Sequence, residues 1–269
     1  YLGTSTSSMS LVANDITNLS YSPSNLAVNT TYYWKVIATD PSGSNTSSIM
    51  NFKYKLVVGH WAFNEGSGTN AYDGSGNGND GSISGAQWIE GVSGYALKFD
   101  GTDDYVKIDD DDALDFTNEL SILFWVKASD LDQTYQQIIR KGGSDDKIEI
   151  QFNGDNIRAD VGDYEANQIF SDDLSENTWY HVAVVRTDSK LLLYVNSELH
   201  DQMNITSSDL TNSYDLYIGK DPNHSNEYLE GSMDDLRMWN SALSASEIGK
   251  IYRTSDPYGP DAIVDANGN

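Results

Sequence analysis

The chain has 269 residues and no cysteine, room for one large or two modest domains whose stability owes nothing to disulfides or thiol chemistry. Its 16 basic residues face 41 acidic ones, a formal net charge of −25, which excludes nucleic acid as a default partner because phosphate binding needs clustered Lys and Arg. No apolar run reaches the ~20 residues of a bilayer-spanning helix, so no helical membrane insertion is expected. With no initiator Met or leader-like segment, and opening in mid-pattern at Tyr1, the chain reads as part of a longer exported polypeptide.

Residues 1–54 alternate short β-like runs with Ser/Thr/Asn loops. The clearest stretch, Leu26 to Asp40, has a period-two pattern that predicts a strand with one buried face. With Leu26 and Tyr32 placed as in a tyrosine corner, this part resembles the second half of a fibronectin type III sandwich. Such a domain has about 100 residues in seven strands. The resemblance therefore implies a truncated immunoglobulin-like sandwich over residues 1–54, acting as a spacer. Lys53 to Val58, free of Gly and Pro, predicts a continuous strand leading into a second domain over 55–254.

That domain opens with His60-Trp61-Ala62-Phe63, whose aromatics alternate as core residues do. The next stretch, Asp73-Gly74-Ser75-Gly76-Asn77-Gly78-Asn79-Asp80-Gly81, sets oxygen-bearing side chains at alternate positions between glycines. This is how a loop converges ligands on a hard cation. It copies the first half of an EF-hand loop, but Ser84 stands where the bidentate Glu belongs, and a Gly/Asn/Asp turn without metal explains the same composition. Tyr105–Ile108 reads as a strand, and the four-Asp run 109–112 as a solvated loop. Leu120–Ala128 is more uniformly apolar, as a strand buried on both faces would be. Further strand-like segments at Ile138–Gly142, Lys147–Phe152, Ile157–Val161 and Trp179–Arg186 keep intervals of about 8 to 15 residues, a rhythm that argues for a sandwich or jelly roll and against a βαβ fold. Ser244 and Glu247 form a capping box before Ile248, Ile251 and Tyr252, predicting one short helix to plug an end of the sandwich. Residues 255–269, rich in Pro, Gly, Asp and Asn, read as a linker.

The blocks His60–Gly68, Tyr95–Val106, Trp179–Ala183, Leu192–Asn196, Leu216–Gly219 and Gly231–Asn240, in this order and spacing, resemble the laminin-G-like, concanavalin A-like jelly rolls of large secreted bacterial proteins. The resemblance implies an all-β fold: a β-sandwich jelly roll. It also implies calcium held between the loop after the first strand and the last strand. Asp73, Asn77, Asp234 and Asp235 are the candidate ligands there, with Glu65 and Asp100 as further candidates that equally suit turn capping. Excess Asp over Glu, 31 to 10, suits Ca²⁺ coordination and also solubility in salty water.

The glycoside hydrolases of such folds carry Glu-x-Asp-x-x-Glu on one strand. None of the ten Glu residues here is followed two positions later by Asp, so catalysis is not expected. The acidic pairs Asp103/Asp104 and Asp234/Asp235 are strand neighbours facing opposite sides, and the four histidines show no zinc-ligand spacing. Sugar recognition needs aromatic faces beside planar polar groups. The loops with Asp163 and Tyr164, with Tyr214, and with Asn223, His224 and Tyr228 offer both, and Tyr135 resembles them. The chain is thus expected to be a non-catalytic, calcium-stabilised module of a secreted or cell-surface bacterial protein, binding a glycan or cell-surface polysaccharide. An adhesin or spacer that recognises a protein or no ligand, and an accessory module of a polysaccharide-degrading enzyme, are the alternatives.

Overall fold

The computed structural model describes residues 1–18, 20–27, 30–143, 147–162, 167–206 and 209–253, which form two compact units dividing after Leu56. In the first unit the strands are β1 (Leu2–Gly3), β2 (Thr31–Trp34), β3 (Ile37–Asp40), β4 (Gly43–Thr46) and β5 (Met50–Lys53). In the second they are β6 (Val57–Trp61), β7 (Asn70–Ala71), β8 (Gly81–Ser84), β9 (Gln87–Glu90), β10 (Tyr95–Asp100), β11 (Tyr105–Ile108), β12 (Leu120–Ala128), β13 (Gln136–Lys141), β14 (Lys147–Asn153), β15 (Asn156–Gly162), β16 (Gln168–Phe170), β17 (Tyr180–Arg186), β18 (Lys190–Val195), β19 (Glu198–Asn204), β20 (Leu216–Ile218) and β21 (Glu230–Trp239), followed by helix α1 (Ala245–Arg253).

In the first unit, β1, β2 and β5 form one antiparallel sheet and β3 and β4 a separate ribbon. Tyr32 stacks on Phe52 at 5.7 Å, and its hydroxyl accepts the Ala27 N–H at 2.9 Å. The single strand expected over Leu26–Asp40 is broken at Lys35 and Val36. Tyr32 pairs with Phe52 in one sheet, whereas Ile37 pairs with Thr46 in the other, so the chain changes partner between them. The continuous strand expected from Lys53 to Val58 is likewise interrupted at Tyr54–Leu56, because β5 bonds to β2 and β6 to β21.

The second unit is a two-sheet sandwich. One sheet runs β19-β18-β17-β12-β21-β10-β9, with β6 also on β21; the other runs β16-β15-β14-β13-β20-β11-β8-β7. Every pairing among the described residues is antiparallel, both in hairpins such as β17–β18 and between distant strands such as β12 and β21. Apolar residues at alternate positions, such as Phe99, Val106, Phe124, Ile150 and Val184, are fully buried between the sheets.

Strand β21 is the longest element, and its partners explain the topology. Met233 to Glu230 pair with β10, while Leu236 to Trp239 pair with β6, so β10 and β6 lie end to end along one edge and β12 occupies the other. At the handover the register against β12 slips between Leu123 and Trp125, and Asp235 takes φ +47°, a left-handed conformation unusual for a non-glycine residue and typical of a bulge.

Helix α1 does not plug an end of the sandwich. It lies over the outer face of the first sheet, where Ile248 and Ile251 join Leu123, Ala183, Val185 and Trp239 in one apolar cluster. This is why Leu120–Ala128 reads as apolar on both faces apart from Ser121 and Lys127: one face of β12 meets the opposite sheet and the other lies under the helix. The capping box forms, with Ser244 N donating to Glu247 Oε2 at 2.6 Å and Glu247 N to Ser244 Oγ at 3.3 Å. Ile248 is fully buried, so Ile248→Ala is expected to cost about 2–5 kcal/mol. Urea denaturation should show a lower midpoint with an unchanged slope.

Candidate functional site

The Asp73 loop lies against β6. Asp73 Oδ1 accepts from His60 N at 3.0 Å and Ser75 N at 2.9 Å, and Oδ2 from Ser75 Oγ at 2.8 Å and Asn79 N at 3.1 Å. A carboxylate offers about four lone-pair sites, and all are taken by protein donors. Asn77 turns its amide nitrogen to the Val58 carbonyl at 3.0 Å, and Trp61 Nε1 reaches Asn79 O at 2.8 Å. A Cβ on Gly59 would strike the Trp61 ring, so glycine there admits the indole. The loop holds the first strand of the sandwich in place.

Asp234 and Asp235 diverge, as alternation requires. Asp234 Oδ2 accepts from Val92 N at 2.7 Å and Ser93 N at 3.3 Å, anchoring the turn between β9 and β10, while its buried Oδ1 has no partner among the described residues. Burial pushes its carboxyl up to about 7. Asp235 Oδ1 lies 3.0 Å from His60 Nε2 and 2.9 Å from Arg237 Nε. Burial opposes its charge, but the bond to His60 and the charge of Arg237 hold it down to about 2.

Of the residues expected to share a calcium ion, Asp73 turns to its own loop and β6, Asn77 turns its amide nitrogen to Val58, Asp234 turns to the β9–β10 turn and Asp235 to His60. Protein donors occupy the oxygens of Asp73 that a shell of 6 to 8 oxygen ligands would use, whereas Asp234 keeps one bare oxygen. Glu65 Oε1 accepts from Tyr72 N at 2.7 Å. Asp100 Oδ1 accepts from Thr102 N at 2.9 Å, beside Asp103 and Asp104 in an acidic turn. Glu65 thus ties its loop to β7, and Asp100 caps its turn while one carboxylate oxygen each of Asp100, Asp103 and Asp104 lie within 4.8 Å of one another, close enough to share a cation.

The second sheet carries the cleft. Antiparallel register aligns Tyr217, Arg140 and Glu149 in one row across β20, β13 and β14, and Gln151 with Arg158 across β14 and β15. Their neighbours Ile139, Ile148, Ile150, Ile157 and Ala159 face the core, so period-two alternation turns the charged residues outward. Glu149 is gripped by two arginines, Oε2 by Arg140 Nη1 and Oε1 by Arg158 Nη2, each at 2.6 Å. With its amide turned to match donors to acceptors, Gln151 donates to Glu149 Oε1 at 3.1 Å and accepts from Arg158 Nη2 at 3.2 Å. This polar floor is bounded by Tyr135, beneath the Arg158 guanidinium at 5.8 Å, and by Tyr214. A Cβ on Gly143 would come within 3.0 Å of the Tyr214 hydroxyl, so glycine there makes room for the phenol.

The remaining wall is the loop from Asp221 to Glu227. Asp221 is 1% exposed; its Oδ2 lies 3.0 Å from His224 Nδ1, and Glu227 Oε2 lies 3.7 Å from the same nitrogen. The bond to Asp221 raises the His224 pKa, and burial raises that of Glu227. Together these residues enclose a cleft of about 520 Å³, the size range of small-ligand sites.

Of the expected ligand-binding residues, the structure brings Tyr214, Asn223 and His224 to this cleft. Tyr228 is not among its lining residues: its ring takes Lys220 Nζ at 5.6 Å, with Tyr105 at 4.5 Å from the same ammonium. Asp163 and Tyr164 lie outside the described residues. Sequence reasoning missed Arg140, Glu149 and Arg158, although each is a charged residue inside an apolar alternation. It also found no carboxylate–histidine cluster, whereas Asp221, His224 and Glu227 form one.

A family model described as the concanavalin A-like lectin/glucanases superfamily matches residues 100–249. The chain belongs to that superfamily. Among solved structures, the superfamily fold is shared with the binding domain of Paraclostridial Mosquitocidal Protein 1, at 15% identity and a TM-score of 0.63 over 74% of this chain and 52% of that one. Domain 4 of AbnA, a GH43 extracellular arabinanase from Geobacillus stearothermophilus solved with arabinotriose, matches at 18% identity and TM-score 0.61, over 75% of this chain and 100% of that domain. The Botulinum neurotoxin serotype G binding domain matches at 16% identity and TM-score 0.60, over 73% of this chain and 50% of that one. The chain thus matches about half the length of the two toxin domains. At these identities the likeness shows the fold alone. A search of curated proteins found no match, and no described helix is long and apolar enough to cross a membrane.

Two outcomes are expected. Asp234 has its folded pKa raised from 3.8 to about 7, so the native state binds the extra proton between those values and its burial costs more as pH rises through that window. Asp234→Asn should therefore gain stability relative to wild type by a few kcal/mol between pH 4 and pH 8, read from denaturant midpoints at each pH. Asp73→Ala, losing four hydrogen bonds, should lower the thermal midpoint equally with calcium and with chelator. A loss seen only with calcium would put the ion in the loop.

Proposed function

We propose that this chain is a non-catalytic glycan-binding module of a secreted or cell-surface protein, and that the sugar lies in the cleft over β13–β15. The observation that carries this reading is the cleft's composition. Two half-exposed tyrosines, Tyr135 and Tyr214, flank a planar, hydrogen-bonding floor of Arg140, Glu149, Gln151 and Arg158. Aromatic faces cover the C–H patches of a pyranose or furanose ring while guanidinium and carboxylate groups read its hydroxyls. The arabinotriose bound to the AbnA domain supports a glycan as occupant of such a fold. Glu149, with both oxygens held by arginine, is fixed in place as part of the cleft floor. The unit Tyr1–Leu56, with its Tyr32–Ala27 hydrogen bond, we read as a partial fibronectin type III-like spacer.

The test is binding of a panel of plant, microbial and host oligosaccharides by calorimetry, with wild type, Tyr135→Ala and Tyr214→Ala. A saturable ligand is expected, weakened about tenfold or more by either substitution, the ~1.4 kcal/mol of one stacking contact. Binding untouched by both would place the site elsewhere. No glycan binding, with a protein retained instead, would favour the adhesin reading.

A further inference from the structure

We propose that Asp221, His224 and Glu227 form a site for one divalent transition-metal ion of the Zn²⁺ class at the mouth of the cleft. The three donor atoms lie within 4.8 Å of one another, with Asp221 Oδ2 and Glu227 Oε2 at 3.0 and 3.7 Å from His224 Nδ1. Tetrahedral ligands at 2.0–2.2 Å from Zn²⁺ stand about 3.3 Å apart, so small side-chain shifts separate this arrangement from a coordination shell.

The donor set chooses the ion. An imidazole nitrogen with two carboxylates suits Zn²⁺ and its first-row neighbours, whereas Ca²⁺ takes oxygen ligands. Three protein ligands leave a vertex open, as in zinc sites that bind substrate or water and unlike closed structural ones.

Two further features favour a cation there. Two carboxylates converge on one imidazole nitrogen, so negative charge is concentrated at the point where a cation would sit. The loop is also preorganised. Asp221 N donates to Glu227 O at 3.1 Å, Lys220 and Tyr228 form a β-bridge beneath it, and Asp221 Oδ1 accepts from Asn223 N at 2.7 Å. Asp221 and Glu227 are held within the fold, while the His224 side chain is 57% exposed, so an ion can enter from solvent. His224 and Glu227 line the same cleft as Arg140, Tyr135 and Tyr214. The open vertex would face the proposed glycan, where a hydroxyl pair or carboxylate could complete the shell. Only this last step rests on the glycan reading.

The experiment uses the full chain, stripped with EDTA and dialysed, titrated calorimetrically with Zn²⁺ and separately with Ca²⁺, without sugar. One Zn²⁺ per chain is expected, with Ca²⁺ at least a hundredfold weaker at this site. His224→Ala and Glu227→Gln should each weaken Zn²⁺ at least tenfold without changing the melting temperature in chelator, and His200→Ala should leave it unchanged. Absence of a stoichiometric Zn²⁺ site, or a site surviving His224→Ala, would overturn the proposal. The sugar panel repeated with and without Zn²⁺ then reads the second step. Glycan binding indifferent to Zn²⁺ would overturn the open-vertex contact and leave the ion site standing, and Zn²⁺ binding without any glycan would sink the glycan reading alone.

Discussion

The sandwich depends on the two-residue joint in β21, where one strand serves two partners on the same edge. Asp234 turns to the backbone N–H groups of Val92 and Ser93 and secures the entry to β10, and Asp235 turns to His60 and secures β6. Alternation alone sends the two carboxylates to opposite sides. The left-handed backbone at Asp235 lets the strand slip one residue against β12 without losing either partner. Strain of this kind persists only where the surroundings over-determine it, and here an ion pair and a hydrogen bond hold one oxygen of Asp235. Asp234 is the costly member, a buried carboxyl with one oxygen partnered and the other bare.

From that joint the division of labour between the sheets follows. The first sheet has its outer face covered by α1 through Ile248 and Ile251. The second has no helix over its outer face among the described residues, and there charged side chains stand at alternate positions without crossing the core, with Arg140 and Glu149 largely covered by their neighbours. Arg140, Glu149 and Arg158 satisfy one another on three adjacent strands, a network that fixes each planar group in place before any ligand arrives. Loops at the ends of these strands supply what a flat sheet cannot, the aromatic walls Tyr135 and Tyr214 and the chelating turn Asp221–Glu227. Function built from loops on a rigid sheet is the common arrangement in such folds.

The glycine-spaced acidic loop has a structural part to play. Its oxygens bind the N–H and O–H groups of its own turn and of β6. Asp73 thus does with hydrogen bonds what an ion would do in a calcium loop, tying the first strand to the body of the sandwich. The donor chemistry that looks vacant as a string of letters is saturated once the loop closes on itself.

The sequence by itself determined the all-β class, the positions of most strands of the sandwich, the capping box at Ser244 and the divergence of Asp234 from Asp235. Each of these follows from local periodicity or from residues within three positions of one another. Only the tertiary structure decided where α1 lies, because an apolar stripe says that a surface is covered but not which one. The cleft was beyond local reading for the same reason. Arg140, Glu149 and Arg158 are separated by nine residues or more, and it is the antiparallel register of β13, β14 and β15 that makes them neighbours. Tyr214 was legible as a loop aromatic, whereas Tyr228, of the same composition and context, faces Lys220 because the bridge beneath its loop points it there. Side-chain chemistry is written residue by residue, but which groups meet is set by strand pairing between segments far apart in the chain.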